Sequence, residues 1–187
     1  MATVPLTTGD DMAQLRAWNA TERDYGAFVP VHHMVAEQAR RTPGSIALAY
    51  QDTSLTYAEM MRRSHHVAAE IRGRGIAPGA VVAFYTDRSS AWIVSLLGIL
   101  DAGAVFLPID PDFPSERVRW MLEDSAAALV ISQRHIWPGL ASSSPEPIPT
   151  PVTFLDDVPF AGEPPFVAPA SPTEDDPAYV IYTSGST

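Results

Sequence analysis

The chain has 187 residues, of which 46% are hydrophobic and 18% charged, enough apolar content for a buried core and too much for global disorder. A formal net charge of -10, with 12 basic residues that are all Arg, argues against nucleic-acid phosphates and anionic membranes as partners. The absence of Cys excludes disulfides, thiolate metal sites and a thiol nucleophile.

Residues 1–11 are polar and acidic, without the basic n-region or apolar h-region of a secretory leader. The most apolar stretch, 91–100, is too short for a membrane span, which needs roughly 20 residues. A cytoplasmic protein is therefore expected. Residues 11–18 read as a short amphipathic helix behind a Thr/Asp-rich cap, and 31–41 as a second helix stopped by Thr42-Pro43-Gly44. Residues 46–50 and 54–56 read as two strands around a polar turn at Gln51-Asp52. Residues 57–72 form a longer helix with a capping-box pattern, Thr56 with Glu59, and a stop at Gly73 and Gly75.

An apolar strand is expected at 80–86, then a helix at 89–102 that is apolar nearly all round and hence buried. A strand at 104–107 is expected to end at Pro108. An amphipathic helix follows at 115–124 behind Pro114, then a strand at 127–131. Alternating helices with continuously apolar strands point to an α/β fold, a parallel or mixed sheet flanked by helices.

More than half of the 18 prolines fall between Pro138 and Pro177. This stretch reads as an extended connector rather than a packed element, with one short strand near 152–155. It delivers 178–182, Ala-Tyr-Val-Ile-Tyr, read as a buried strand, which runs into Thr183-Ser184-Gly185-Ser186-Thr187. Small hydroxyl residues around a Gly suit a phosphate: Gly185 lets the backbone approach closely, successive N–H groups form an anion nest, and the hydroxyls add donors without bulk. On local chemistry alone, a plain surface turn is the competing reading.

Three ordered motifs add to that reading. Tyr182-Thr183-Ser184-Gly185-Ser186-Thr187 resembles the opening of the phosphate-loop motif of the acyl-adenylate-forming superfamily, which continues Gly-x-Pro-Lys-Gly. Leu55-Thr56-Tyr57-Ala58-Glu59-Met60 resembles the first core motif, and the stretch from Leu100 to Pro111 the second. The tail of that motif, Asp112-Phe113-Pro114-Ser115-Glu116-Arg117-Val118, and the lead-in Leu15-Arg16-Ala17-Trp18-Asn19-Ala20-Thr21 are similar to adenylation domains of nonribosomal peptide synthetases.

The resemblance implies the N-terminal part of the large subdomain of an adenylate-forming enzyme, with residues 1–27 as linker and lead-in helix and 28–187 as an incomplete core. It implies amino-acid activation by ATP with Mg²⁺, giving an aminoacyl adenylate and pyrophosphate. The aminoacyl group then passes to the phosphopantetheine of a peptidyl carrier protein, in antibiotic-type secondary metabolism. Thr183, Ser184, Gly185, Ser186 and Thr187 are implied to hold the ATP phosphates.

The implied partners are the remainder of the domain, the carrier and a small accessory chaperone. The pocket, adenine and Mg²⁺ motifs and the catalytic Lys lie beyond Thr187 in the family, so no catalytic or metal residue is expected here. The chain alone is expected to be inactive. Alternatives are an acyl- or aryl-CoA ligase, a stand-alone acid-activating ligase, or a non-catalytic piece that complements a second segment.

Other features read plainly. Gly73 to Gly79 follows a helix and precedes a strand, the reverse of a dinucleotide fingerprint, so a helix C-cap and turn is expected. His32-His33 and His65-His66 point about 100° apart in a helix and lack an H-E-x-x-H frame, so ordinary core or surface roles are expected. Asp110 and Asp112, among prolines, suit turn and capping roles.

Overall fold

A computed structural model of the chain describes residues 8–24, 26–143, 146–165 and 170–183. Helix α1, Gly9–Asn19, is held by a capping box in which Thr8 and Asp11 exchange hydrogen bonds. The expected amphipathic helix forms but buries none of its residues. Helix α2, Val31–Arg41, has the span expected from its pattern and buries His32 and Ala39.

Strands β1, Ile46–Tyr50, and β2, Thr53–Thr56, pair antiparallel across the Gln51-Asp52 turn. Helix α3, Tyr57–Gly73, starts at the expected Thr56–Glu59 capping box, and Gly75, at φ 76°, turns the chain out of it.

The remaining elements are β3, Val81–Tyr85; α4, Ser90–Asp101; β4, Val105–Ile109; α5, Ser115–Asp124; β5, Leu129–Ser132; α6, Trp137–Ser143; and β6, Val152–Phe154, with a 3-10 turn at Leu155–Asp157. The sheet is parallel throughout, in the order β4-β3-β5-β6.

Strand residues alternate between two cores. Val82, Phe84, Leu129 and Ile131 face the cluster built with α2, α3 and α4. Ala83, Tyr85, Leu107, Ile109 and Val130 face Val118, Met121 and Leu122 of α5 and Leu140 of α6. Both faces of the sheet are thus buried, which is why its strands read as continuously apolar. Full burial of a side chain such as Phe84 or Ile131 contributes roughly 1.5–3 kcal/mol.

Three expectations need correction. Strand β4 does not stop at Pro108 but runs through it to Ile109. Val105 N–H donates to Ala80 in the β3 lead-in, whereas Phe106 N–H donates the other way, to Ala178. Alternation places position 108 on the outward side with Phe106, so the N–H that proline lacks is not one β3 needs.

The stretch from Pro138 is not merely an extended connector. Pro138 lies in the first turn of α6, where its missing N–H has no intrahelical partner to lose, and Leu140, Leu155 and Val158 are buried. Finally, 178–182 is not a buried strand. Among the described residues it makes one parallel bridge, Tyr179 to Phe106, and leaves Tyr179 57% and Ile181 55% exposed, with pairing along one edge.

Candidate functional site

The loops leaving β3 and β4 frame a cleft of about 520 Å³ at the carboxyl ends of these strands. Open parallel sheets bind ligands at that end. The walls include Thr86, Arg88, Trp92, Asp110, Ile181 and Tyr182.

Asp110 organises one side. Its Oδ1 accepts from Asp112 N–H at 3.0 Å and its Oδ2 from Arg88 at 2.9 Å. The Asp112 amide foremost, and Arg88 after it, hold the Asp110 carboxyl below the usual carboxylate range. The turn role expected of Asp110 is therefore the one it plays. Tyr85 O–H donates to Pro111 O at 3.1 Å and fixes the same turn from beneath. Trp92 packs edge-on to Phe84, with ring centroids 5.2 Å apart. Thr86 is buried, and its hydroxyl has no hydrogen-bond partner among the described residues.

The segment leading to the hydroxyl-rich tail joins the cleft beside β4. Phe106 N–H donates to Ala178 O at 3.1 Å, and Val180 N–H donates to Phe106 O at 2.9 Å. The Tyr179 ring lies 5.5 Å from that of Phe106. Tyr182 turns onto α5, where its O–H donates to Asp124 Oδ2 at 2.6 Å and its ring meets Trp120 at 5.1 Å. Burial, reinforced by the Asp124 carboxylate, pushes the phenol up to about 12, so it stays a neutral donor.

Of the residues expected to hold phosphates, Thr183 is exposed and directly follows Tyr182 at the cleft. Ser184, Gly185, Ser186 and Thr187 lie outside the described residues. Arg88 lines the cleft and Asp124 holds Tyr182 without either having been singled out, and Tyr182 was read only as the first residue of the loop motif. Only the adjacency of Tyr182 to the tail offered a signal in the sequence.

The histidines take ordinary places. His32 and His66 are buried; His33 Nε2 lies 3.0 Å from Ala170 O, and His66 Nε2 3.3 Å from Gly162 O. Gly75 and Gly79 adopt positive φ in the turn between α3 and β3, as a helix cap and turn require. Among the described residues, no three His, Asp or Glu side chains gather where they could hold a metal ion. No helix among them is long and apolar enough to cross a membrane.

A parallel α/β sheet, covered on both faces and with a cleft at its carboxyl ends, places the chain in the class of open α/β folds, which bind ligands at that end. The family model described as AMP-binding enzyme matches residues 35–187, and the chain belongs to that family.

Tyrocidine synthase 3 of Brevibacillus parabrevis is 39% identical over 184 residues, covering 97% of this chain and 3% of the relative. Bacitracin synthase 1 of Bacillus licheniformis is 36% identical over 173 residues, 92% of this chain and 3% of the relative. A crystal structure of the nonribosomal peptide synthetase FmoA3 superposes with a TM-score of 0.81 at 34% identity, covering 95% of this chain and 18% of that one. FmoA3 is also known in a form bound to AMPPNP. The chain thus spans a small part of each of these proteins.

Proposed function

We propose that this chain is the N-terminal part of an adenylation domain that activates an amino acid with ATP for nonribosomal peptide synthesis. The single observation that carries the reading is the string Tyr182-Thr183-Ser184-Gly185-Ser186-Thr187 within a family match that runs through Thr187, its first residue, Tyr182, lining the cleft at the open end of a parallel sheet. Residues 1–27 serve as the linker and lead-in, and 28–187 as part of the core. The enzyme acts in the cytoplasm.

In this reading the amino-acid carboxylate attacks the α-phosphorus of ATP, and pyrophosphate leaves with the electrons of the broken P–O bond. Thr183, Ser184, Gly185, Ser186 and Thr187 hold the β and γ phosphates through backbone N–H groups and hydroxyls. Charge neutralisation and positioning supply most of the catalysis in phosphorus transfer. In this reading ATP is used together with Mg²⁺. A peptidyl carrier protein with phosphopantetheine receives the aminoacyl group, and a small accessory chaperone is a further partner.

The test is amino-acid-dependent exchange of labelled pyrophosphate into ATP. The polypeptide that joins this chain to the rest of an adenylation domain should show it with one or a few amino acids. The 187 residues alone should not. Exchange with fatty or aryl acids instead of amino acids would overturn the proposed substrate class.

A further inference from the structure

The path of residues 178–183 raises a mechanical question: what fixes the root of the phosphate loop? Beside β4 the ladder runs Phe106 N–H to Ala178 O, then Val180 N–H to Phe106 O. In a parallel ladder the next rung would be the N–H of residue 108 to the carbonyl of Val180. Residue 108 is proline and has no N–H, so that rung cannot form. The last ladder hydrogen bond described along this edge is Val180 N–H to Phe106 O, two residues before Tyr182.

A side chain takes over at that point. The Tyr182 O–H is 2.6 Å from Asp124 Oδ2, and its oxygen is 3.5 Å from the Met121 carbonyl. Its ring packs edge-on to Trp120 at 5.1 Å. Asp124 closes α5, whose Val118, Met121 and Leu122 are buried in the core beneath the sheet, so the acceptor sits on a rigid base. A neutral hydroxyl donating to a carboxylate is among the stronger protein hydrogen bonds.

We propose that Tyr182, held by Asp124, is the positioning residue that sets where the phosphate loop leaves the sheet and so fixes the seat of the ATP phosphates. The inference rests on the phosphate-binding reading of residues 183–187. Proline at 108 and tyrosine at 182 then form one device: a backbone rung is missing beside Val180, and a side-chain anchor stands two residues further on.

The experiment uses the polypeptide that carries this chain together with the rest of an adenylation domain. Tyr182→Phe keeps the ring against Trp120 and removes the hydroxyl. It should raise the KM for ATP about tenfold, the scale of losing a hydrogen bond to a charged group, and leave the amino-acid KM within about twofold. Asp124→Ala should give the same rise, and the double variant no more than either single one. Asp124→Asn keeps an acceptor and should recover most of the affinity.

An unchanged KM for ATP, or both KM values rising together with a lowered melting temperature, would overturn the anchor. Calorimetric titration with AMPPNP separates this from the wider reading. A wild type that binds AMPPNP but shows no exchange defeats the amino-acid assignment, and the variants' AMPPNP affinities then decide the anchor. A wild type that binds no AMPPNP defeats both.

Discussion

A Cβ placed on Gly98 would lie 2.6 Å from Val67 Cβ and 2.8 Å from the Ser64 carbonyl, so α3 and α4 meet where no side chain fits. Both contacts are to rigid groups, one a β-branched side chain and the other backbone. In an open helix, Gly→Ala would gain about 1 kcal/mol of propensity. Here overpacking of about 1–3 kcal/mol outweighs it. Gly98→Ala should lower the midpoint of urea unfolding, and a raised midpoint would show that the two helices can move apart.

The capping box at the head of α3 joins Thr56 and Glu59 by hydrogen bonds of 2.9 Å from Thr56 N–H and 3.2 Å back to Thr56 Oγ1. Thr56→Ala removes the acceptor for one of the unpaired first-turn N–H groups. The melting temperature should fall by about 2–4 °C, as expected for a lost cap in a chain of this size. Thr56→Ser, which keeps the hydroxyl, should fall less.

Two buried groups oppose each other in acid. Burial, helped by the neighbouring His33 charge, lowers His32 from 6.5 to about 4. The unfolded chain therefore takes up this proton before the folded one does, and stability is lost as pH falls from 6.5 towards 4. Burial raises Asp101 from 3.8 to about 6. Its folded form keeps a proton that the unfolded form has released, so its contribution is present below 3.8 and lost as pH rises to about 6. His65, 3.7 Å away, is itself lowered by burial and does not offset this near neutrality.

Asp101→Asn should therefore melt higher than the wild type at pH 7, match it near pH 3.5, and show a steeper decline in acid. Replacing His32 by Gln should flatten the decline. Melting curves from pH 3.5 to 7 check both, and an Asp101→Asn gain that is constant with pH would contradict the assignment.

Among the described residues one edge of 178–182 is unpaired, and Tyr179 and Ile181 are exposed beside β4. Edges of this kind recruit other chains. The 187-residue chain should self-associate as its concentration rises, measured by light scattering, and Ile181→Lys should reduce this. A monodisperse wild type at high concentration would count against it.

The sequence by itself determined most of the helices and their starts. Helices at Val31–Arg41 and Ser115–Asp124 fall on the spans their patterns indicate, and Thr56 with Glu59 marks the start of α3, because periodicity, caps and Gly or Pro stops act within a few residues. The α/β class was legible in the same way, and the hydroxyl-rich tail and its resemblance were legible as a string.

Only the tertiary structure decided the order β4-β3-β5-β6, the passage of β4 through Pro108, the packing of Leu140 and Leu155, and the half-open state of 178–182. It alone brought Tyr182 to Asp124 across 58 residues. Contacts of that range depend on which strand edge is paired and which is left open. No local pattern encodes that choice, since it is made by the competition of whole elements for a shared core.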